Sequence, residues 1–200
     1  MQQLLKSRGF LALLTLLIVG TLGGLALWTM RGTASPAPSQ PPFTLWLHLA
    51  DATERNVTVS LDLERDSGGN PILAATYTPT KPGFHLYSID LPLEGASGLG
   101  RPTQLELAAQ TLLSPRGPVS TDAVAFPDES ISVSQPLLIY PEGPVTLRLP
   151  ITLPASATPL SERVTVSYMT CNTVQGLCMP PVIGKELEIT IPAALLGAAE

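Results

Sequence analysis

The most reactive side chains in this 200-residue chain are its two cysteines, Cys171 and Cys178. Six residues separate them within the segment VSYMTCNTVQGLCMPP, which spans positions 166–181 and ends in a double proline. Two thiols this close in sequence can form a structural disulfide, a reversible redox pair or part of a site for a soft metal ion. The elements that position the two thiols help to distinguish these three types of chemistry.

Strand-like segments flank both cysteines: ERVTVSYMT leads into Cys171, and VIGKELEITIP follows Cys178. We therefore expect the two residues near the facing ends of a hairpin or a strand pair, where Cα atoms approach within the roughly 4.4–6.8 Å that a disulfide needs. A bridge across so short a loop stabilises a fold by only about 2–3 kcal/mol on chain entropy alone. A structural staple and a redox site both remain open at this point.

A copper(I) site is the third interpretation, because thiolate, thioether and imidazole are the soft or borderline ligands that copper(I) prefers. Its candidate ligands are Met169, Cys171, Cys178, Met179 and His85. The methionines are equally well explained as packing residues, and we expect His85 to be an exposed strand residue. No metal site and no cofactor are therefore predicted.

An uncharged apolar run, FLALLTLLIVGTLGGLALWTM, occupies positions 10–30. A helix of that length spans roughly 30 Å, enough to cross the hydrocarbon core of a bilayer. We predict an uncleaved transmembrane anchor there, with a long signal peptide as the alternative. The segment RGTASPAPSQPP, at 31–42, then forms a Pro/Ser/Ala-rich linker to a folded domain.

Basic residues flank this run unequally, with Lys6 and Arg8 before it and only Arg31 after it. The positive-inside rule predicts residues 1–9 in the cytoplasm and the domain in the periplasm or outside the cell, on a single-pass inner-membrane anchor. Removing these three from the eleven basic residues leaves eight against sixteen acidic residues, which argues against nucleic-acid binding. An exported domain also lies where disulfides can form.

The exported part has mostly period-two alternation, which is typical of strands. Its strand-like segments are FTLWLHLA, NVTVSLDLE, ILAATYTP, FHLYSIDLP, TQLELAAQTL, PVTLRLPITLP, RVTVSYMT and KELEITIP, with turn sequences between them. This pattern predicts an all-β, immunoglobulin-like antiparallel β-sandwich over residues 43–192. The prolines of RLPITLP predict an edge strand or a bulge, and the tail at 193–200 is expected to form one helical turn or to fray.

The cysteine segment resembles the active-site segment of the N-terminal periplasmic domains of the DsbD family of thiol:disulfide interchange proteins. That family has a strand ending in Tyr-x-x-Cys, a short loop with Gly-x-Cys, one further residue and two prolines. The matching positions here are Tyr168, Cys171, Gly176, Cys178, Pro180 and Pro181. PGFHLYS also resembles the family's Gly-aromatic-x-Leu-Tyr strand. The resemblance covers nearly all of residues 43–192, although only the cysteine segment is specific.

The resemblance implies an immunoglobulin-like domain in which Cys171 and Cys178 are a reversible redox pair, with Cys178 forming the mixed disulfide and Cys171 resolving it. The activity would be that of a thiol-disulfide oxidoreductase of the protein-disulfide reductase type. Its partners would be thioredoxin-like proteins, such as a disulfide isomerase or a cytochrome c maturation thioredoxin. Family members continue into a membrane domain and a thioredoxin-like domain, and this sequence ends at Glu200, so a separate membrane electron donor is expected.

Residues bordering the cysteines are also implied by the resemblance: Tyr87 and Tyr168, and a cap loop that begins at the pair Asp128-Glu129. Here Ile131 or Val133, rather than the family's aromatic residue, would shield the disulfide. The alternative for this cap loop is an ordinary solvated crossover. The cysteine loop also departs from the family, with six residues between the cysteines where the family usually has five. The alternative function is a non-catalytic immunoglobulin-like binding or assembly module with an inert disulfide.

Overall fold

A computed structural model of the chain describes residues 43–128 and 135–197. The predicted cytoplasmic segment, anchor and linker, at 1–9, 10–30 and 31–42, lie outside these described residues. Within the two described ranges, no helix has the length and apolar character that crossing a bilayer requires.

Fourteen strands and a single short 3-10 helix occur in the described residues. The strands are β1 (Phe43–Glu54), β2 (Val57–Asp66), β3 (Pro71–Pro79), β4 (His85–Leu86), β5 (Gln104–Leu107), β6 (Ser114–Pro115), β7 (Ser120–Thr121), β8 (Phe126–Pro127), β9 (Leu138–Ile139), β10 (Val145–Thr152), β11 (Leu160–Tyr168), β12 (Thr170–Asn172), β13 (Leu177–Cys178) and β14 (Val182–Ile191). The 3-10 helix, Ala193–Leu195, is the single helical turn expected in the tail.

Two antiparallel sheets enclose the main core. The larger sheet has the order β1-β2-β3-β10-β6, with β7 also paired to β10, and the smaller has the order β14-β11-β5. Alternate residues of the long strands point inward, such as Val57, Val59, Leu61 and Leu63 of β2, and they pack in one cluster with residues of β11 and β14. Period-two alternation thus produces the predicted all-β, sandwich-like architecture.

Pro150 lies within β10, and the irregularity expected at this proline occurs on the outer side of the strand alone, where pairing changes from β7 to β6. β10 pairs with β3 in unbroken register from Val145 to Pro150, and β6 and β7 cover parts of its other side. The carbonyl of Pro150 faces that outer side, where it accepts a hydrogen bond from the Arg116 amide at 2.8 Å. Because the N and O atoms of one residue point to the same side of a strand, the missing N–H of Pro150 interrupts no pairing with β3.

A smaller set of strands lies beside the sandwich and carries both cysteines. One sheet has the order β13-β12-β4, and a second consists of β8 and β9. An isolated bridge between Tyr87 and Ile139 joins them, and the Tyr140 amide donates to the Leu86 carbonyl at 2.9 Å. These strands cover a second hydrophobic cluster, formed by Tyr87, Leu91, Ala96, Leu137, Ile139 and Cys171, with Met169 packed against it.

Candidate active site

Cys171 and Cys178 form a disulfide across the β12–β13 hairpin, as the strand-like flanking segments predicted. The two residues lie directly opposite each other in the antiparallel register, with an S–S distance of 2.03 Å and a Cα–Cα distance of 4.0 Å. The Met179 amide donates to the Thr170 carbonyl at 2.9 Å, so the adjacent cysteine pair occupies a non-hydrogen-bonded position. Opposed residues approach most closely at such positions, which explains a Cα–Cα distance just below the expected range.

The loop that closes the hairpin is fixed by local hydrogen bonds. The side-chain oxygen of Asn172 accepts from the Gln175 amide at 3.0 Å, and the Gly176 amide donates to the Thr173 carbonyl at 3.2 Å. Asn172 is itself buried and packs closely on Gly83, where an added Cβ would lie 2.5 Å from the side-chain Nδ2 atom of Asn172. The glycine of the PGFHLYS segment therefore makes room for the base of the cysteine loop.

The two sulfurs differ sharply in their environment. Cys171 is fully buried at 0% exposure and belongs to the second hydrophobic cluster, whereas Cys178 is exposed. Two apolar residues of the same hairpin are also exposed: Val174 in the loop, at 97%, and Leu177 directly before Cys178, at 46%. Of the two cysteines, Cys178 is thus the one that lies at the surface, while Cys171 is enclosed by the second hydrophobic cluster.

Tyr87 contacts the buried end of the disulfide, because its hydroxyl donates a hydrogen bond to the Cys171 Sγ atom at 2.9 Å. The backbone carbonyl of Tyr87 accepts from the Thr103 hydroxyl at 2.7 Å, which holds the tyrosine in place. Burial, together with the negative charge of Asp128, raises the pKa of Tyr87 to about 12. The hydroxyl therefore stays protonated and remains a hydrogen-bond donor at every physiological pH.

His85 lies next to the buried cysteine, a placement that the sequence analysis missed. β4 pairs with β12 so that His85 is directly opposite Cys171, and its ring makes an edge contact with Tyr87 at a centroid distance of 5.5 Å. The expectation of an exposed strand residue was wrong, because His85 is only 5% exposed. The missed signal was the spacing in FHLY: a strand that directs Tyr87 to the disulfide directs His85, two residues earlier, to the same face.

Asp128 is buried where β8 ends, and its amide donates to the Leu137 carbonyl at 2.8 Å. Its charge acts on both Tyr87 and His85 and tends to raise the pKa of each. The other residues predicted to border or shield the cysteines from this loop, Glu129, Ile131 and Val133, lie outside the described residues.

Tyr168 occupies the main core of the sandwich. Its hydroxyl donates to the Glu54 carbonyl at 3.1 Å, and its ring packs edge-on against Tyr77 at a centroid distance of 5.7 Å. Of the two tyrosines predicted to border the cysteines, the structure thus brings Tyr87 onto the disulfide and places Tyr168 among the core contacts of β1, β3 and β11.

Residues 43–128 and 135–197 contain no group of three or more His, Cys, Asp or Glu side chains that could hold a metal ion. Both cysteine sulfurs are bonded to each other, and Met169 packs against the second hydrophobic cluster. The observed contacts of the disulfide are thus those of an apolar site with one hydroxyl donor.

No protein-family model matches the chain, and no curated protein matches it at a significant level. Among solved structures, the chain is similar to the N-terminal domain of DsbD from Neisseria meningitidis in its reduced form. The two share 15% sequence identity with a TM-score of 0.37, over 78% of this chain and 90% of that domain.

Proposed function

We propose that the chain performs thiol–disulfide exchange through Cys171 and Cys178, relaying electrons between a reductase partner and oxidised proteins outside the cytoplasm. The observation that carries this proposal is the asymmetry of the disulfide, which joins an exposed sulfur to a fully buried one that accepts a hydrogen bond from Tyr87. Exchange needs one sulfur that a partner can attack and one that departs as a stabilised thiolate. The site supplies both.

In the reductive half-reaction, a partner thiolate attacks the Sγ atom of Cys178 and forms a mixed disulfide. The Cys171–Cys178 bond breaks, its electron pair goes to the Cys171 sulfur, and the hydroxyl of Tyr87 stabilises the thiolate that forms. A second thiolate of the partner then attacks the partner's own sulfur in the mixed disulfide and releases Cys178. The partner dithiol is thereby oxidised, and the chain gains two electrons.

The oxidative half-reaction reverses these steps on an oxidised protein. Cys178, as the exposed thiolate, attacks a disulfide of that protein, and Cys171 then attacks the Cys178 sulfur to close the bridge again. The substrate leaves with two reduced cysteines. No cofactor enters either half-reaction, because the cysteine sulfurs carry the electrons.

Thioredoxin-like proteins are the partners that we propose, including a disulfide isomerase or a cytochrome c maturation thioredoxin as electron acceptor. The resemblance of positions 166–181 to the DsbD active-site segment supports this choice. The apolar run at 10–30 and the basic residues before it support an inner-membrane anchor with the domain in the periplasm. A membrane reductase or a thioredoxin-like protein would then recharge the cysteine pair.

Trapping of a mixed disulfide tests the proposal on the full chain. The probe is a thioredoxin that keeps one active-site cysteine, activated as its thionitrobenzoate mixed disulfide. Cys171→Ala retains the exposed thiol of Cys178, and Cys178→Ala retains the buried thiol of Cys171. We expect Cys171→Ala to form the protein–protein disulfide roughly tenfold faster or more, because access governs the rate of attack.

Equal rates for the two variants, or faster trapping through Cys171, would contradict the proposed roles. A non-catalytic binding module with an inert bridge predicts a different result: the disulfide of the unmodified chain would stay closed in the presence of a reduced thioredoxin that has both active-site cysteines.

A further inference from the structure

A row of three side chains crosses the small sheet from β4 to β13. His85 lies opposite Cys171, and Cys171 lies opposite Cys178, in consecutive antiparallel pairs. Directly opposed residues point to the same face of a sheet, with Cβ atoms about 4.5–5.5 Å apart. The imidazole of His85 is therefore the cross-strand neighbour of the buried sulfur, on the side away from the exposed one.

The Nε2 atom of His85 is buried and makes no hydrogen bond to any of the described residues. A buried polar atom without a partner costs free energy, so its presence in a fold calls for an explanation. In the oxidised protein the neighbouring sulfur carries no proton to share. Reduction of the bridge creates an S–H group on Cys171, a hydrogen-bond donor on the residue directly opposite this imidazole.

We propose that His85 accepts the proton of the Cys171 thiol when the reduced chain closes its disulfide. The inference deepens the proposed exchange reaction and rests on it for its biological use. Cys171 is fully buried, so bulk water cannot readily take its proton, and Tyr87 donates a hydrogen bond to this sulfur but does not accept one. In the tautomer that carries its proton on Nδ1, the imidazole of His85 has an unbonded lone pair on Nε2 and can accept that proton.

Cys178 is held in a mixed disulfide with the substrate, and the thiol proton of Cys171 passes to the neutral imidazole of His85. The resulting thiolate attacks the Sγ atom of Cys178, the Cys171–Cys178 bond forms, and the bond between Cys178 and the substrate sulfur breaks with its electron pair on the substrate. His85 then returns the proton to that departing thiolate or to solvent.

Charged and titratable groups face His85 from several elements. Tyr87, which follows β4, packs edge-on against its ring, and Cys171 faces it from β12. Asp128 acts from the end of β8 and Glu142 from the turn after β9. Burial lowers the pKa of His85 below its usual value, while the negative charges of Asp128 and Glu142 oppose this shift. The imidazole is therefore neutral near pH 7, as a proton acceptor must be, and the two carboxylates stabilise the imidazolium once it forms.

The test compares His85→Gln with the unmodified full chain, reduced chemically and then treated with oxidised glutathione. Glutamine keeps a polar side chain of similar reach but cannot accept a proton. We expect closure of the mixed disulfide to slow roughly ten- to hundredfold near neutral pH. In the unmodified chain the closure rate falls as pH drops through the lowered pKa of His85, because the protonated ring cannot act as a base, and this inflection is lost in the variant.

His48→Gln is the matched control, since His48 is the chain's other histidine and lies half-exposed on β1, bonded to Asp62 at 2.8 Å. It should leave the closure rate and its pH profile unchanged. A second readout needs no variant: the imidazole resonances of His85 should titrate at a different pH in the reduced and oxidised chains, whereas those of His48 should not.

The inference would be overturned if the His85→Gln variant closed its disulfide as fast as the unmodified chain and kept the inflection in the pH profile of that rate. So would His85 resonances that titrate identically in both redox states. If either result accompanied normal trapping of thioredoxin by Cys171→Ala, the exchange function would stand and only the proton role would fail. A bridge that no thiol can open or reform would overturn both.

Discussion

At the scale of single residues, the hydroxyl of Tyr87 is the group of the fold that hydrogen-bonds to the disulfide. It donates to the buried Cys171 sulfur at 2.9 Å, and the elevated pKa of about 12 ensures that the donor is always protonated. A hydrogen bond to a thiolate is worth more than one to a disulfide sulfur, because the acceptor is charged. Tyr87 therefore favours departure of Cys171 from the bridge.

Tyr87→Phe removes this donor while keeping the ring in the second hydrophobic cluster. We expect the rate at which dithiothreitol opens the disulfide to fall about tenfold, the equivalent of a charge-assisted hydrogen bond of about 1.4 kcal/mol. The rate is measured by rapid mixing of the oxidised full chain with excess dithiothreitol.

Tyr168→Phe is the control for that prediction. It also removes one hydroxyl hydrogen bond, the one from Tyr168 to the Glu54 carbonyl, but does so in the main core. It should lower stability by about 1 kcal/mol without slowing the opening of the disulfide. Equal slowing by both variants would show that the effect does not come from the hydrogen bond between Tyr87 and Cys171.

At the scale of elements, β2 and β10 were predictable because one face of each strand is buried and the other is only partly buried. β2 and β10 alternate strictly, so their sequences alone indicate which side chains enter the core. The β12–β13 hairpin was predictable for a related reason, since strand-like segments flank both cysteines. In these elements, local sequence pattern and tertiary environment agree.

β4 was not predictable in the same way, and this is why the burial of His85 was missed. Residues 84–88 are all buried, because the main core, the second hydrophobic cluster and β12 surround this short segment on several sides. Alternation disappears when both faces of a strand are covered. A histidine in such a segment looks exposed from its residue type, and the register with Cys171 shows that it is buried beside the disulfide.

Gly100 provides a test of how the loop before β5 positions Tyr87. It has a φ of +72°, and an added Cβ would lie 2.9 Å from two ring carbons of Tyr87. Gly100→Ala should therefore displace the ring, weaken the bond to Cys171 and lower the free energy of unfolding by about 2–3 kcal/mol. Urea unfolding measures the stability, and the rate of opening by dithiothreitol measures the effect on the disulfide.

Gly69→Ala is the matched control, because Gly69 has a similar φ of +80° but nothing lies within 4 Å of the added Cβ. Gly69→Ala should lower the free energy of unfolding only by the backbone penalty, about 1–2 kcal/mol. It should leave the rate at which dithiothreitol opens the disulfide unchanged. If Gly100→Ala behaved like Gly69→Ala in both measurements, the proposed support of Tyr87 by this loop would be wrong.

At the scale of the whole molecule, the disulfide is separate from the main core. Cys171 belongs to the second hydrophobic cluster, whereas the buried residues between the larger and the smaller sheet form the main core. The bridge closes a loop of only seven positions in sequence, which limits its contribution to stability to about 2–3 kcal/mol on chain entropy. The sandwich can therefore persist when the bridge is open, as an electron carrier requires.

Reduction should accordingly leave the chain folded. We expect the far-ultraviolet circular dichroism of the reduced chain to match that of the oxidised chain, with the free energy of unfolding lowered by no more than about 3 kcal/mol. Urea titration with and without dithiothreitol measures the difference. Loss of the folded baseline on reduction would indicate a bridge whose purpose is to hold the domain together.

The most direct test of the central claim is the equilibrium reduction potential of the Cys171–Cys178 pair, measured in the full chain against glutathione and dithiothreitol buffers. An exchange site that a partner opens and closes predicts a labile bridge, with a potential well above the roughly −300 mV that is typical of structural disulfides. A potential at or below that value would contradict the account and make the disulfide a structural feature of a binding module.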